Sequence, residues 1–286
     1  MRIANLAGRL VLLVEGGAVD VHRASAGRFA ADPQAIYPRW SEFREWAPSA
    51  TGTPTPFTVD RLGPPAPRPG QVFGIGANYR DHAAEGGIAV PDWPMVFTKF
   101  PSSFTGPTGT IALPGDTVDW EVELVVVLGA RAYEVTAERA WDYVAGLTVG
   151  QDLSERTVQL RGEMPQMCMG KSFPGFSPTG PVLVTPDALA DPDRLGISCA
   201  VNGETVQRAS TGELVFGVAQ LIATLSAVLP LEPGDVIFTG TPSGVGMVRT
   251  PPRFLRAGDE LVSRIDGIGE MRHRFVDRVP QPKASA

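Results

Sequence analysis

Asp119, Glu121 and Glu123 recur at every second residue of the run DWEVELVVVL, so a β-strand there points all three to one face. The opposite face carries Trp120, Val122, Leu124, Val126 and Leu128, and the acidic face itself turns apolar at Val125 and Val127. Like charges at i and i+2 in a half-buried strand repel and lose hydration unless positive charge compensates. A divalent cation would do this, and oxygen-only ligands select a hard ion, Mg²⁺ or else Mn²⁺ or Ca²⁺, over Zn²⁺. The competing reading is an amphipathic strand whose acids face solvent. Asp152 ends a second apolar run and precedes the helix-prone LSERTVQL. With Glu155 three residues on it reads as a capping box. As a strand-end acid it would instead join Glu121 and Glu123 in a three-carboxylate site with open positions for substrate and water.

Of the three histidines, His22 and His273 sit among ordinary polar residues near the chain ends and read as surface. His82 lies in NYRDHAAEGG, where Asn78 can cap a short helix and Gly86-Gly87 can end it. On such a helix His82 and Glu85 share a face, and a carboxylate beside an imidazole fixes its tautomer and raises its basicity, as a general base requires. A solvent-exposed i, i+3 pair is the alternative. The two glycines fit a closing lid as well as a plain helix stop.

These residues need a scaffold, and the rest of the chain describes one. The 286 residues carry a net charge of −6, which disfavours nucleic acid and anionic membranes as partners. No stretch approaches the roughly 20 apolar residues of a membrane span, and the N-terminal segment lacks the signals of a leader. Two cysteines, Cys168 and Cys199, fit a reducing cytoplasm, and structural zinc is not expected. Residues 1–65 read as a small N-terminal unit, with strands at 9–14 and 18–21 and a short helix over 37–46. The Pro- and Gly-rich residues 51–70 form a linker or strap. From Val72 onward short β-branched runs alternate with Gly/Pro turns, giving a second domain over 66–286. The fold class is α+β, mostly β, with helices expected only over 79–85, 137–143, 153–162 and 215–229. GIGANY carries Tyr79 where a dinucleotide fingerprint has its third glycine, so that reading is rejected.

The ordered series VFGIGANYRDHAAEGG, DWEVELVVVLG, GLTVGQDLSERTVQ…MGKSF, VNGETVQ and GDVIFTGTPSGVG resembles the fumarylacetoacetate hydrolase family over about residues 70–278. The resemblance implies rolled, stacked β-sheets with few helices, a homodimer, and Mg²⁺ or Mn²⁺ on Glu121, Glu123 and Asp152. It implies a water-activating dyad of His82 and Glu85, and Lys171 of MGKSF facing metal and substrate. It also implies Arg156 and Gln159 near the substrate, carried to the side of Asp152 by one helix, and Thr241 on a substrate-contacting turn. The chain departs from some members in one respect: after Lys171, KSFPGF offers Gly175 where a threonine completes the metal's surroundings. The family spans hydrolases, decarboxylases and isomerases. Hydrolysis of a C–C bond in a small anionic 2,4-dioxo acid is the reading preferred here, with oxaloacetate-type decarboxylation or oxo-acid isomerisation as the alternative. A glycosidase built on Glu121 and Glu123 is disfavoured, because i, i+2 carboxylates about 6.5–7 Å apart point the same way and do not flank a bond. A non-catalytic binding protein is disfavoured because every expected position is filled.

Overall fold

The computed structural model describes residues 1–278; the last eight residues of the domain expected over 66–286 lie outside the described residues. The strands are β1 (Arg2–Leu6), β2 (Arg9–Val14), β3 (Gly17–Asp20), β4 (Val72–Gly76), β5 (Met95–Thr98), β6 (Thr108–Leu113) and β7 (Val122–Leu128). They continue as β8 (Val144–Gln151), β9 (Ser177–Val184), β10 (Gly196–Val201), β11 (Glu204–Ser210), β12 (Val236–Phe238), β13 (Glu260–Ile265) and β14 (Gly269–Asp277). Besides a single turn at Val21–Ala24, the α-helices are α1 (Trp40–Trp46), α2 (Arg80–Glu85), α3 (Arg156–Gln159), α4 (Met167–Gly170) and α5 (Val218–Ser226).

One large mixed sheet runs β3-β2-β1-β9-β8-β7-β12-β4-β5, and a second runs β11-β10-β13-β14-β6. Residues 1–65 supply β1–β3 to the large sheet, entering through the pairing of Arg2 with Val184. The segment 51–70 is tied down at two points, by the bridge of Thr55 to Ala18 and by Leu62–Gly63 pairing with β1.

Strand β7 shows why the sheet needs two covers. Val122, Leu124 and Val126 join the core shared with Ile197, Leu261 and Phe275 of the second sheet. Val125 and Val127 join a separate cluster with Tyr37, Trp40 and Phe43 of the N-terminal unit. The period-2 reading of this run holds, and both faces are buried. The face that is acidic at Glu121 and Glu123 turns apolar where that aromatic layer begins.

Several local expectations are corrected. His273 is buried, not on the surface, because it shares the inward face of β14 with Met271 and Phe275, which pack into the core. The 37–46 segment is a 3₁₀ turn, Pro33–Arg39, followed by α1, and residues 137–143 are 3₁₀ as well. The helix expected over 215–229 begins only after Gly217 and ends at Ser226. That expected over 153–162 shrinks to α3.

Candidate active site

The antiparallel register of β7 and β8 explains how three distant carboxylates meet. Val122 faces Gln151 and Glu123 faces Gly150, and the pairing runs one step further as the Asp152 amide donates to the Glu121 carbonyl at 2.9 Å. Glu121, Glu123 and Asp152 therefore share one end of the sheet, with ligand-type oxygens within 4.8 Å of one another. All three are buried, so the solvent-facing reading of the acidic strand is wrong.

Their counter-charges come from elsewhere in the fold. Lys171 Nζ, just after α4, donates to Glu121 Oε2 at 2.8 Å, to Asp152 Oδ2 at 2.5 Å and to Ser154 Oγ at 2.8 Å. Arg156 lies 2.7 Å from Glu121 Oε1 and donates through Nη1 to Gln159 Oε1 at 2.9 Å. Close packing of α4 on α3 requires Gly170, whose added Cβ would lie 2.6 Å from the Gln159 nitrogen. No hydroxyl appears at Gly175; the hydroxyl beside Lys171 is that of Ser154.

Two further residues matter. Lys99, wholly buried, donates to Asp152 Oδ1 and to the Lys171 carbonyl, each at 2.5 Å. Sequence reading missed it, although period 2 through MVFTKF sets Lys99 on one face with Met95 and Phe97. Asp119 was expected on the metal-facing side, but the strand breaks after it and turns its carboxylate away. There it accepts from Arg156 at 2.8 Å and from the amides of Trp120, Gly246 and Met247.

Burial opposes ionisation throughout this cluster, and position decides the outcome. Glu121 sits between Lys171 and Arg156, which outweigh burial and hold it well below the usual carboxylate range. Glu123 has the reverse fate: burial, then Asp152 and Glu121, push its pKa well above the usual carboxylate range, against the amide of Gly240 at 2.7 Å. Burial pulls Lys99 down despite Asp152, whereas Asp152 and Glu121 more than offset burial at Lys171 and raise it. Four carboxylates thus face three cations, and Glu123 is the one left short of positive charge. An all-oxygen donor set with that deficit fits a hard divalent cation.

On α2, His82 Nδ1 lies 2.9 Å from Glu85 Oε1, and the Glu85 carboxylate also accepts from the Gly244 amide at 2.9–3.0 Å. The helix is capped by Tyr79 without a side-chain bond. Asn78 instead ties Phe216 and Thr239 together, so its capping role is corrected. Likewise Glu155, not Asp152, caps α3, which leaves Asp152 free of capping and outside the helix that carries Arg156 and Gln159. Thr241 donates to the Val122 carbonyl and accepts from Gln207. His82, Glu121, Arg156, Gln159, Lys171 and Thr241 all border one cavity of about 210 Å³. Glu123 and Asp152 lie beneath it. Larger depressions of about 820 and 650 Å³ elsewhere on the surface hold none of these residues.

Comparison with known proteins places this arrangement. The family model described as fumarylacetoacetate (FAA) hydrolase C-terminal matches residues 71–276. The oxaloacetate tautomerase Fahd2a of Rattus norvegicus, described as mitochondrial, is 46% identical over 214 residues, 74% of this chain and 68% of that protein. The crystal structure of a candidate HpcE protein from Mycobacterium smegmatis superposes with a TM-score of 0.94 at 54% identity, covering 97% of this chain and 99% of that one. Maleylpyruvate hydrolase from Sphingobium sp. SYK-6, solved with manganese(II) and pyruvate, gives 0.76 at 30% identity over 97% and 99% of the two chains. These relatives differ in the reaction their names state. Among the described residues no helix is long and apolar enough to cross a membrane. With the family model matching most of its length and these folds superposing on nearly all of it, the chain belongs to the fumarylacetoacetate hydrolase family.

Proposed function

We propose that this chain is a divalent-metal-dependent hydrolase of a C–C bond in a short 2,4-dioxo acid. The observation that carries the reading is the His82–Glu85 pair, fixed by Gly244, with His82 bordering a cavity that the buried carboxylate triad reaches through Glu121. Glu121, Glu123 and Asp152 would hold Mg²⁺ or Mn²⁺, and the manganese- and pyruvate-bound relative supports such an ion and such a ligand. When bound, the cation supplies the Lewis-acid charge that favours a 2-oxo acid's enolate.

The protein's own groups do the rest. Glu85 holds Nδ1 of His82, so Nε2 is the atom that takes a proton from water attacking the distal carbonyl. Lys171 adds positive charge beside the head of the acid, and Gln159 is placed to donate to the developing oxyanion. As the C3–C4 bond breaks, His82 returns its proton to the leaving pyruvate-type carbon.

A second reading is tautomerisation of an oxaloacetate-type acid, favoured by the 46%-identical relative that bears that name. It uses the same groups without attacking water. Reaction in ¹⁸O-water separates the two. One labelled carboxylate oxygen in a released acyl product supports hydrolysis. Keto–enol interconversion with no acyl product moves the assignment to the tautomerase. In either case chelation should abolish turnover and Mg²⁺ or Mn²⁺ should restore it. A homodimer is the assembly proposed, and sedimentation as a monomer at micromolar concentration would count against it.

A further inference from the structure

We infer that the acid taken by this pocket ends in an uncharged, apolar group, and that Met95, Met167 and Met247 select it. The inference rests on the reading above only in placing the 2-oxo acid head on the charged floor.

The ionisable groups bordering the cavity are His82, Glu121, Arg156 and Lys171, and each already has a partner. His82 meets Glu85, and Arg156 meets Asp119, Glu121 and Gln159. Lys171 meets Glu121, Asp152 and Ser154. No uncommitted cation borders the cavity among the described residues, so a second carboxylate at the far end of the substrate would be desolvated without a counter-charge.

The far walls offer the opposite environment. Three of the seven methionines in the chain, Met95, Met167 and Met247, border the cavity, with Ile88 and Leu160 beside them. Met164 and Met169 lie exposed on the same 160–170 segment. Methionine is unbranched and polarisable, and it adapts to apolar groups of differing shape.

Each wall methionine is placed by a specific feature of the chain. Met95 pairs with Gly76 across β4 and β5, and a Cβ on Gly76 would press on its sulfur at 3.0 Å. The glycine leaves room for Met95 to lie across β4. Met247 donates its amide to Asp119 Oδ2 at 3.0 Å, the same oxygen that holds Arg156, so wall and floor share one anchor. Met167 opens the helix that ends just before Lys171.

The test compares 2-oxohexanoate with 2-oxoadipate, acids of equal length whose far ends are a methyl and a carboxylate. Binding to the Mn²⁺-loaded protein is measured by calorimetry, and kcat/KM is measured for alkyl-ended and carboxylate-ended 2,4-dioxo acids. The alkyl-ended acid should bind at least about tenfold more tightly. Met95→Lys and Met247→Arg should each shrink that preference. Equal or tighter binding of 2-oxoadipate by the unaltered protein would overturn the inference. Binding of neither acid would overturn it together with the placement of a 2-oxo acid on the floor. Selective binding of the alkyl-ended acid without cleavage of any dioxo acid would uphold the inference and remove only the hydrolase assignment.

Discussion

In the charged cluster behind the pocket, Asp119 accepts five hydrogen bonds and Lys171 donates three, all but that from the Met247 amide with buried partners. At its mouth, Ile88 and Leu160 are half exposed, and Met164, four residues after Leu160, is 91% exposed. The floor is over-determined at Glu121, Asp152, Arg156 and Lys171, which are held by partners from several elements, and moving one would leave another short of charge in a medium of low dielectric. The mouth makes few such commitments, and its apolar side chains can be exchanged without unpairing a charge. Chemistry that must keep its geometry sits on the first kind of surface. Selection among substrates can vary on the second.

The largest expected effect lies between the two regions. His82→Ala should lower kcat by roughly 10²–10⁴-fold, with Mn²⁺ affinity retained in calorimetry because His82 is not among the proposed ligands. Unchanged turnover would remove the general base from the proposal.

The floor itself is tested by Lys99→Met. Removing Lys99 takes one of the two cations from buried Asp152 and leaves it Lys171 alone, and the variant should lose up to about 3 kcal/mol in chelator, as read from denaturant midpoints. Saturating Mn²⁺ should recover part of that loss by restoring positive charge beside Asp152. A variant as stable as the parent in chelator would show that Lys99 does not neutralise Asp152.

His273 serves as a buried titrating group outside this contrast. Its Nε2 meets the Gly106 carbonyl at 3.0 Å while Nδ1 has no partner, and burial pushes it down to about 4. The folded protein therefore binds this proton more weakly than the unfolded chain, whose histidines titrate near 6.5. The contribution to stability is complete above about pH 6.5 and is lost as pH falls towards 4, amounting to about 3 kcal/mol. Comparing urea midpoints of the parent and His273→Leu between pH 7 and 4.5 isolates it, since other groups titrate in both. A difference that does not change with pH would contradict this account.

The smallest effect belongs at the mouth. Leu160→Ala should change stability by no more than about 0.5 kcal/mol while raising KM for alkyl-ended acids. A loss of several kcal/mol in thermal melts would show that the mouth is packed like a core and would erase the contrast.

Much of this was legible locally. The i, i+2 acids of DWEVELVVVL, the period-2 division of β7 between two faces, the His82–Glu85 spacing and the Gly/Pro-punctuated β-rich pattern all follow from rules that act within one element. What failed were the pairings that depend on distant partners. Asn78 looked like a cap, but it ties down Phe216 and Thr239 from far along the chain. Asp152 looked like half of a capping box, but Glu155 caps the helix and Asp152 meets Lys99 and Lys171. His273 looked like a surface residue, and only the packing of its face of β14, shared with Met271 and Phe275, into the core buries it. By itself the sequence determined which residues could do chemistry and which face of β7 they share. Only the tertiary structure decided which carboxylate is neutralised, which is left short of charge and which is turned aside. Periodicity is a property of neighbouring residues, whereas charge compensation in a buried site depends on the register between strands and on lysines that lie far away in sequence.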